Sequence, residues 1–221
     1  MLYCFYLKIS GGGILQMTID ELIQKRKSIH SFTDDTLTQT QIEAIIEAGR
    51  LAPFAGLAQA GMRDFRHFFV IKRDTEICEK ILELVLSARQ IDLLDCEAKQ
   101  LQVQYPAYAN IVKNMSQKKP VDIVASPILV IVAEHAGMPA REVSALGYVM
   151  ENMWLKATDM GIGLKLCSGI SDIKDKEALK TLLNLPADQD FAFEGCNLGY
   201  AKEPLYKEQL RPVPEKSITY L

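Results

Sequence analysis

Only three histidines, one tryptophan and five scattered cysteines occur among the 221 residues, and each shortage closes off a class of chemistry. The cysteines, at positions 4, 78, 96, 167 and 196, form no C-x-x-C pair and none of the usual zinc spacings. Neither a metal site nor a dithiol couple is therefore expected. Their odd number and wide scatter read as free thiols in a reducing compartment, the cytoplasm. His30, His67 and His135 are the whole histidine complement, so a His-rich site is equally unexpected. Excess charge is lacking too. A net charge of −3 argues against a dedicated nucleic-acid surface, which needs clustered Lys and Arg, while leaving room for a local anion pocket. The first sixteen residues, MLYCFYLKISGGGILQ, are apolar but have no basic leading region and no small-residue cleavage signal, and they are too short to span a bilayer. Codons for Gly11, Gly12 and Gly13 could form a ribosome-binding site at the right distance before Met17. Residues 1–16 are thus expected to be a leader that is unstructured or not native, and 17–221 a single domain.

What is present suits a soluble globular protein: 48% hydrophobic and 24% charged residues, enough for one substantial core. Thr18 with Glu21, and Thr38 with Gln41, are capping boxes that open two helices. The first runs to about Lys27. The second carries Ile42, Ile45, Ile46, Ala48 and Leu51 inward and ends near Pro53. Phe65 to Lys72 reads as a strand. Asp74 to Ser87 reads as a helix with Ile77, Ile81, Leu84 and Val85 inward. Residues 89–118 form a polar, helix-prone excursion broken at Tyr105-Pro106. Ser126 to Ala133 (SPILVIVA) is the most strand-like run and should be central, covered on both faces. Between Arg141 and Gly161 lies a helix apolar on nearly every side, with Val143, Leu146, Met150, Met153, Trp154 and Ala157 on one face. Such a helix is either the centre of a monomer core or is shared with a second subunit. Leu164 to Cys167 is a strand, Asp172 to Leu183 a helix, and Phe191 to Tyr200 a strand with Cys196, Leu198 and Tyr200 on one face. The tail from Glu203 carries Pro204, Pro212 and Pro214 and should extend over a surface.

Two stretches invite chemistry. Arg26-Lys27-Ser28-Ile29-His30-Ser31-Phe32 gathers two fixed cations, a hydroxyl and an imidazole. That set suits a phosphate, and equally a solvated helix end whose cations favour the C-terminal dipole. Phe54-Ala55-Gly56-Leu57-Ala58-Gln59-Ala60-Gly61 is small enough to admit a flat ligand against its backbone, or is a plain loop. No His or Asp lies near Cys167 in sequence, so a thiol nucleophile there is not expected.

The order of these features resembles the FMN-dependent nitroreductase family over nearly all of Thr18 to Leu221. Four motifs carry it. Residues 26–32 match R-R-S-x-R-x-F with Lys27 and His30 in place of two arginines, and Ala52-Pro53-Phe54-Ala55-Gly56-Leu57-Ala58-Gln59 matches A-P-S-A-G-N-L-Q. Leu146 to Gly163 follows L-G-x-x-x-Q-N-x-x-L-x-A-x-x-x-G-L-G. Leu198-Gly199-Tyr200 and Arg211-Pro212 match the closing L-G-Y and R-P.

The resemblance implies an α+β fold with a mixed, mostly antiparallel sheet flanked by helices, in an intertwined homodimer with exchanged C-terminal segments. It implies FMN at the interface, with Arg26, Ser28, His30 and Arg211 on the phosphate and Lys27 near the pyrimidine edge. Pro53, Phe54, Ala55, Gly56 and Gln59 would come from the partner subunit or lie along the interface. Leu166, Cys167, Ser168 and Gly169 would lie against the isoalloxazine ring, a Ser168 backbone N–H being directed at N5. The flavin itself would carry the chemistry, so no catalytic side chain is implied. NADH or NADPH would reduce it, and a nitroaromatic, quinone or similar flat acceptor would reoxidise it by ping-pong kinetics. Relatives using the flavin for reductive dehalogenation or flavin fragmentation, and a non-catalytic flavin carrier or sensor, are the alternative readings. Phe54 and Leu57 replace a polar Ser and Asn of the pattern, His30 replaces Arg, and Leu210 replaces a basic residue. These departures imply a more aromatic pocket and weaker hold on FMN.

Overall fold

The computed structural model describes residues 17–54, 64–207 and 218–220. Helix starts follow the local sequence. Glu21 and Gln41 side chains accept from the Thr18 and Thr38 N–H groups at 2.8 and 2.9 Å, and both threonine hydroxyls accept in return, opening α1 (Ile19–Lys25) and α2 (Gln39–Arg50). β1 (Arg66–Lys72) leads into α3 (Glu76–Ala98), which continues well past Ser87 because residues 88–98 contain no glycine or proline to stop it and keep Ala88, Arg89 and Cys96 buried. The short α4 (Leu101–Gln104) stops at Tyr105, and Pro106 takes the first turn of α5 (Pro106–Ser116), where its missing N–H costs nothing. A 3-10 turn over Val121–Val124 precedes β2 (Ile128–His135); α6 (Glu142–Asp159), β3 (Gly163–Leu166), α7 (Lys176–Leu182) and β4 (Phe191–Gly199) follow. α7 begins later than predicted, where the Asp175 carboxylate accepts from the Ala178 N–H at 2.9 Å.

These strands form one sheet in the order β1-β2-β4-β3, and every described pair is antiparallel. β2 is central and buried from Ile128 to Glu134. Its alternate residues serve two layers, as the period of a strand requires. Ile128, Val130 and Val132 join α2 and α6, while Leu129, Ile131 and Ala133 join α3, α7 and the 3-10 turn. Helices thus cover both faces, the α+β architecture expected from the sequence.

Two expectations need correction. α6 is buried through Ala145, Leu146, Val149, Met150, Met153 and Ala157, but Val143 is 75% exposed and Tyr148 55% exposed. Within one chain, then, the helix turns an apolar face outward. Leu51 lies in the helix-capping position rather than in the buried stripe of α2 and is also exposed.

The last described stretch of any length, Tyr200 to Lys207, runs antiparallel beside Lys25 to Thr33. Thr33 N–H donates to the Tyr200 carbonyl (2.8 Å), Lys202 N–H to Ser31 (2.9 Å) and Lys207 N–H to Lys25 (2.8 Å). The tail up to residue 207 is therefore an extended strap, as its prolines suggest.

Candidate functional site

The cationic run begins where α1 ends. Ile29 is fully buried, and its N–H donates to the Leu164 carbonyl at 3.1 Å, so the run lies along the outer edge of β3. Gly163 permits this approach: a Cβ there would stand 3.0 Å from Ile29 Cγ1 and 3.1 Å from Phe32 Cε1. Flanking Ile29, Ser28 is half-buried and His30 exposed. Arg26 donates from Nε to Glu151 on α6 at 2.8 Å, and its guanidinium sits 4.7 Å over the Trp154 ring. That contact fixes one edge and one face of the fork; among the described residues its terminal nitrogens make no hydrogen bond. Lys27 Nζ meets one oxygen of Glu203 at 3.2 Å, while the other accepts from the His30 and Ser31 N–H groups at 2.6 and 3.0 Å. The His30 N–H above all, with the Lys27 ammonium and Ser31 N–H, holds the Glu203 carboxyl below the usual glutamate range.

Beyond β3 the chain forms the floor of a cleft of about 270 Å³. Leu166, Cys167, Ser168 and Gly169 supply this floor, and the facing wall comes from α3, α5 and the 3-10 turn. Cys167 is anchored by its N–H to the Gly195 carbonyl (2.8 Å), and Asn197 Nδ2 donates to its sulfur at 2.7 Å. Burial pushes the thiol up to about 12, so it stays protonated and is a packing group rather than a nucleophile. Gly169 lies so close to Ile123 that a Cβ would stand 2.8 Å from its Cδ1. The Ser168 and Gly169 N–H groups make no hydrogen bond within the described residues, leaving two donors on the floor. At one end, Arg89 forks onto Asp122 (3.1 and 2.7 Å), and Lys165 Nζ donates to the Asp122 carbonyl (2.8 Å). Burial of Asp122 opposes its ionisation, but Arg89 outweighs this and its carboxyl lies below the usual range.

The structure thus brings Arg26, Lys27, Ser28 and His30 together along β3, with Leu166 to Gly169 at the end of the same strand. It does not bring Pro53 and Phe54 to them. Those two residues leave α2 at the opposite edge of the sheet, where Phe54 packs on Phe65 with ring centroids 5.2 Å apart. Three strand spacings, roughly 14 Å, separate β1 from β3. Ala55, Gly56, Gln59 and Arg211 lie outside the described residues.

Sequence reasoning missed what holds that far edge. Arg66 on β1 pairs with Glu134 on β2, their side chains 2% and 0% exposed. Its remaining N–H groups donate to the carbonyls of Gly49 (3.2 Å), Ala52 (3.0 Å) and Pro53 (2.9 Å). The sequence signal was a cation opening a strand with an apolar middle, RHFFVIK. The Arg89–Asp122 pair was missed as well, because Arg89 opens the excursion read only as polar and Asp122 lies beyond its end.

A family model described as "Nitroreductase family" matches residues 23–200. Among curated proteins none matches the sequence significantly. Solved structures match nearly end to end. A BluB-like flavoprotein from Clostridium difficile 630 is 21% identical with a TM-score of 0.68, covering 93% of this chain and 99% of that one. A nitroreductase with bound FMN from Bacteroides fragilis NCTC 9343 is 22% identical, TM-score 0.64, covering 92% and 98%. An FMN- and NADPH-dependent nitroreductase, NfnB, from Sphigopyxis sp. strain HMH, seen as a point mutant, is 16% identical, TM-score 0.61, covering 92% and 99%. At these identities the likeness is one of fold.

Proposed function

The chain belongs to the nitroreductase family, and from that premise we propose that it is an FMN-dependent NAD(P)H oxidoreductase working as a homodimer. The observation that carries this reading is the Ile29 to Leu164 hydrogen bond, which sets a cationic segment beside a cleft floor bearing two unused backbone donors. The residues suit FMN: a phosphate needs several donors, and a flavin ring needs apolar walls with a few N–H groups. Arg26, Ser28 and His30 would hold the phosphate, joined by Arg211. Lys27 would lie near the pyrimidine edge, and Leu166, Cys167, Ser168 and Gly169 would bear on the ring. When bound, FMN supplies the two-electron chemistry between NADH or NADPH and a flat acceptor such as a quinone or nitroarene. The chain's own part is to orient the ring, to keep water away from it and to admit the acceptor.

Two observations support a homodimer. Pro53 and Phe54 stand at the far sheet edge, where they can meet the cationic segment of a second copy but not their own. The outward face of α6, with Val143, Gly147 and Tyr148, gives that copy an apolar surface to cover. Among the described residues no helix is long and apolar enough to cross a membrane, and the reading places the protein in the cytoplasm. After purification with FMN and removal of the excess, the protein should be yellow and elute at twice the 24.7 kDa chain mass. NADH or NADPH should bleach it without oxygen, and a quinone or nitroarene should restore the colour. A protein that binds FMN but is bleached by neither nucleotide overturns the reductase reading in favour of a carrier.

A further inference from the structure

Two residues of α6, Glu151 and Trp154, meet Arg26 from different directions. They stand three positions apart, on one side of the helix. Glu151 Oε1 accepts from Arg26 Nε at 2.8 Å, and the Trp154 ring lies under the guanidinium, whose carbon is 4.7 Å from the ring centroid. The first contact sets the direction of the fork, and the second sets its plane. The two terminal nitrogens, Nη1 and Nη2, make no hydrogen bond among the described residues.

Stability alone does not account for this arrangement. The side chains of Arg26 and Glu151 are 20% and 38% exposed, and an ion pair that open to water adds little to folding. Apolar packing against the α2–α6 layer holds the Trp154 ring, but its buried Nε1–H has no partner among the described residues. A buried donor left unpaired costs free energy, so the indole is not seated by its own hydrogen bond, and its face is turned to the guanidinium. Lys27, the other fixed cation of the run, is drawn toward the strap by Glu203 at 3.2 Å. An ammonium is a point charge on a flexible stem, whereas an arginine fork meets two phosphate oxygens at once when its plane and direction are right. A free arginine would lose its rotamer freedom on binding. Here α6 has already ordered it.

We propose that Glu151 and Trp154 are positioning residues for the FMN phosphate, holding Arg26 so that its two terminal nitrogens are presented together. This rests on the FMN reading above and adds to it the pair of residues that makes Arg26 competent.

Calorimetric titration of the flavin-free protein with FMN and with riboflavin, in phosphate-free buffer, separates the phosphate from the ring. Glu151→Leu should weaken FMN at least about tenfold and change riboflavin by less than about twofold. Glu151→Gln, which keeps an oxygen for Arg26 Nε, should stay within about threefold of wild type for both flavins. In an Arg26→Ala background, Glu151→Leu should have no further effect on FMN. Trp154→Leu should weaken FMN as Glu151→Leu does, and Trp154→Phe, which keeps an aromatic face, should lose less. Should Glu151→Leu not fold, the two Trp154 variants decide by the same comparison of flavins. Unchanged or tighter FMN binding in Glu151→Leu, equal weakening of both flavins, a loss in Glu151→Gln as large as in Glu151→Leu, or a further loss on top of Arg26→Ala overturns the proposal. If the wild-type protein binds no FMN, the FMN reading fails by itself. Trp154 is the single tryptophan of the chain, so its emission under titration with inorganic phosphate then decides the positioning role. A saturable change whose midpoint rises at least about tenfold in Glu151→Leu but not in Glu151→Gln supports it, and no change or an unmoved midpoint overturns it.

Discussion

Removing the Arg66 guanidinium would take a buried counter-charge from Glu134 and a donor from each of three backbone carbonyls. Arg66→Met should therefore destabilise the protein by about 3–5 kcal/mol in urea unfolding. Arg66→Met with Glu134→Leu should recover part of that loss, because it removes the buried carboxylate together with its counter-charge while the three carbonyls still lack the guanidinium. Cys167 shows the opposite case. Its thiol is buried and protonated, so Cys167→Ala should keep FMN turnover near wild type while lowering stability by about 1 kcal/mol. Loss of turnover with FMN still bound would contradict that assignment. At this scale the sequence revealed residues whose partners are near in the chain. Thr18 and Glu21, or Thr38 and Gln41, could be paired on sight. Arg66 and Glu134 could not, since only the β1–β2 register sets them opposite each other.

Among the elements, the strap of residues 200–207 adds one carboxylate to its backbone hydrogen bonds. Glu203 occupies the His30 and Ser31 N–H groups and the Lys27 ammonium together. Its folded-state value is depressed, so its contribution is complete above the usual glutamate range and is lost as pH falls through the lower folded value. Hydrogen-exchange protection of Thr33 and Lys202 should accordingly be pH-independent near neutrality and fall in acid. In Glu203→Gln the same amides should be less protected already at pH 7. Element existence was largely legible because caps, breakers and period-two runs are local signals. The true length of α3 and the outward turn of Val143 on α6 were not. The first needed the absence of a breaker to be trusted across a polar stretch. The second needed knowledge of which neighbours α6 has, and an all-apolar helix gives no polar side to mark its exposed face.

For the whole molecule, the proposed sharing of one site between Arg26 of one copy and Phe54 of another makes a prediction that no single chain can meet. Arg26→Ala and Phe54→Lys homodimers should each lose activity. Mixed and refolded together, they should regain about a quarter of wild-type activity, because half the dimers are mixed and each mixed dimer has one site free of both substitutions. If Arg26 and Phe54 served the same chain's site, mixing would restore nothing. The motifs naming these residues were readable in the sequence, but their opposite placement follows from the strand order β1-β2-β4-β3.

The pairing of Lys25 with Lys207 has a consequence for synthesis. Arg26 and Ile29 find partners on α6 and β3, but Lys25, Ser31 and Thr33 meet theirs only in residues 200–207, so that side of the cationic run stays open until the strap has been made. Contacts of such long sequence separation close late and slowly. A chain ending before Tyr200 could already pack β2 between its helices and join Ile29 to Leu164, yet would leave the Ser31 and Thr33 backbone without its strap partners. On this geometry, the strap is the last part of the cationic run's surroundings to close.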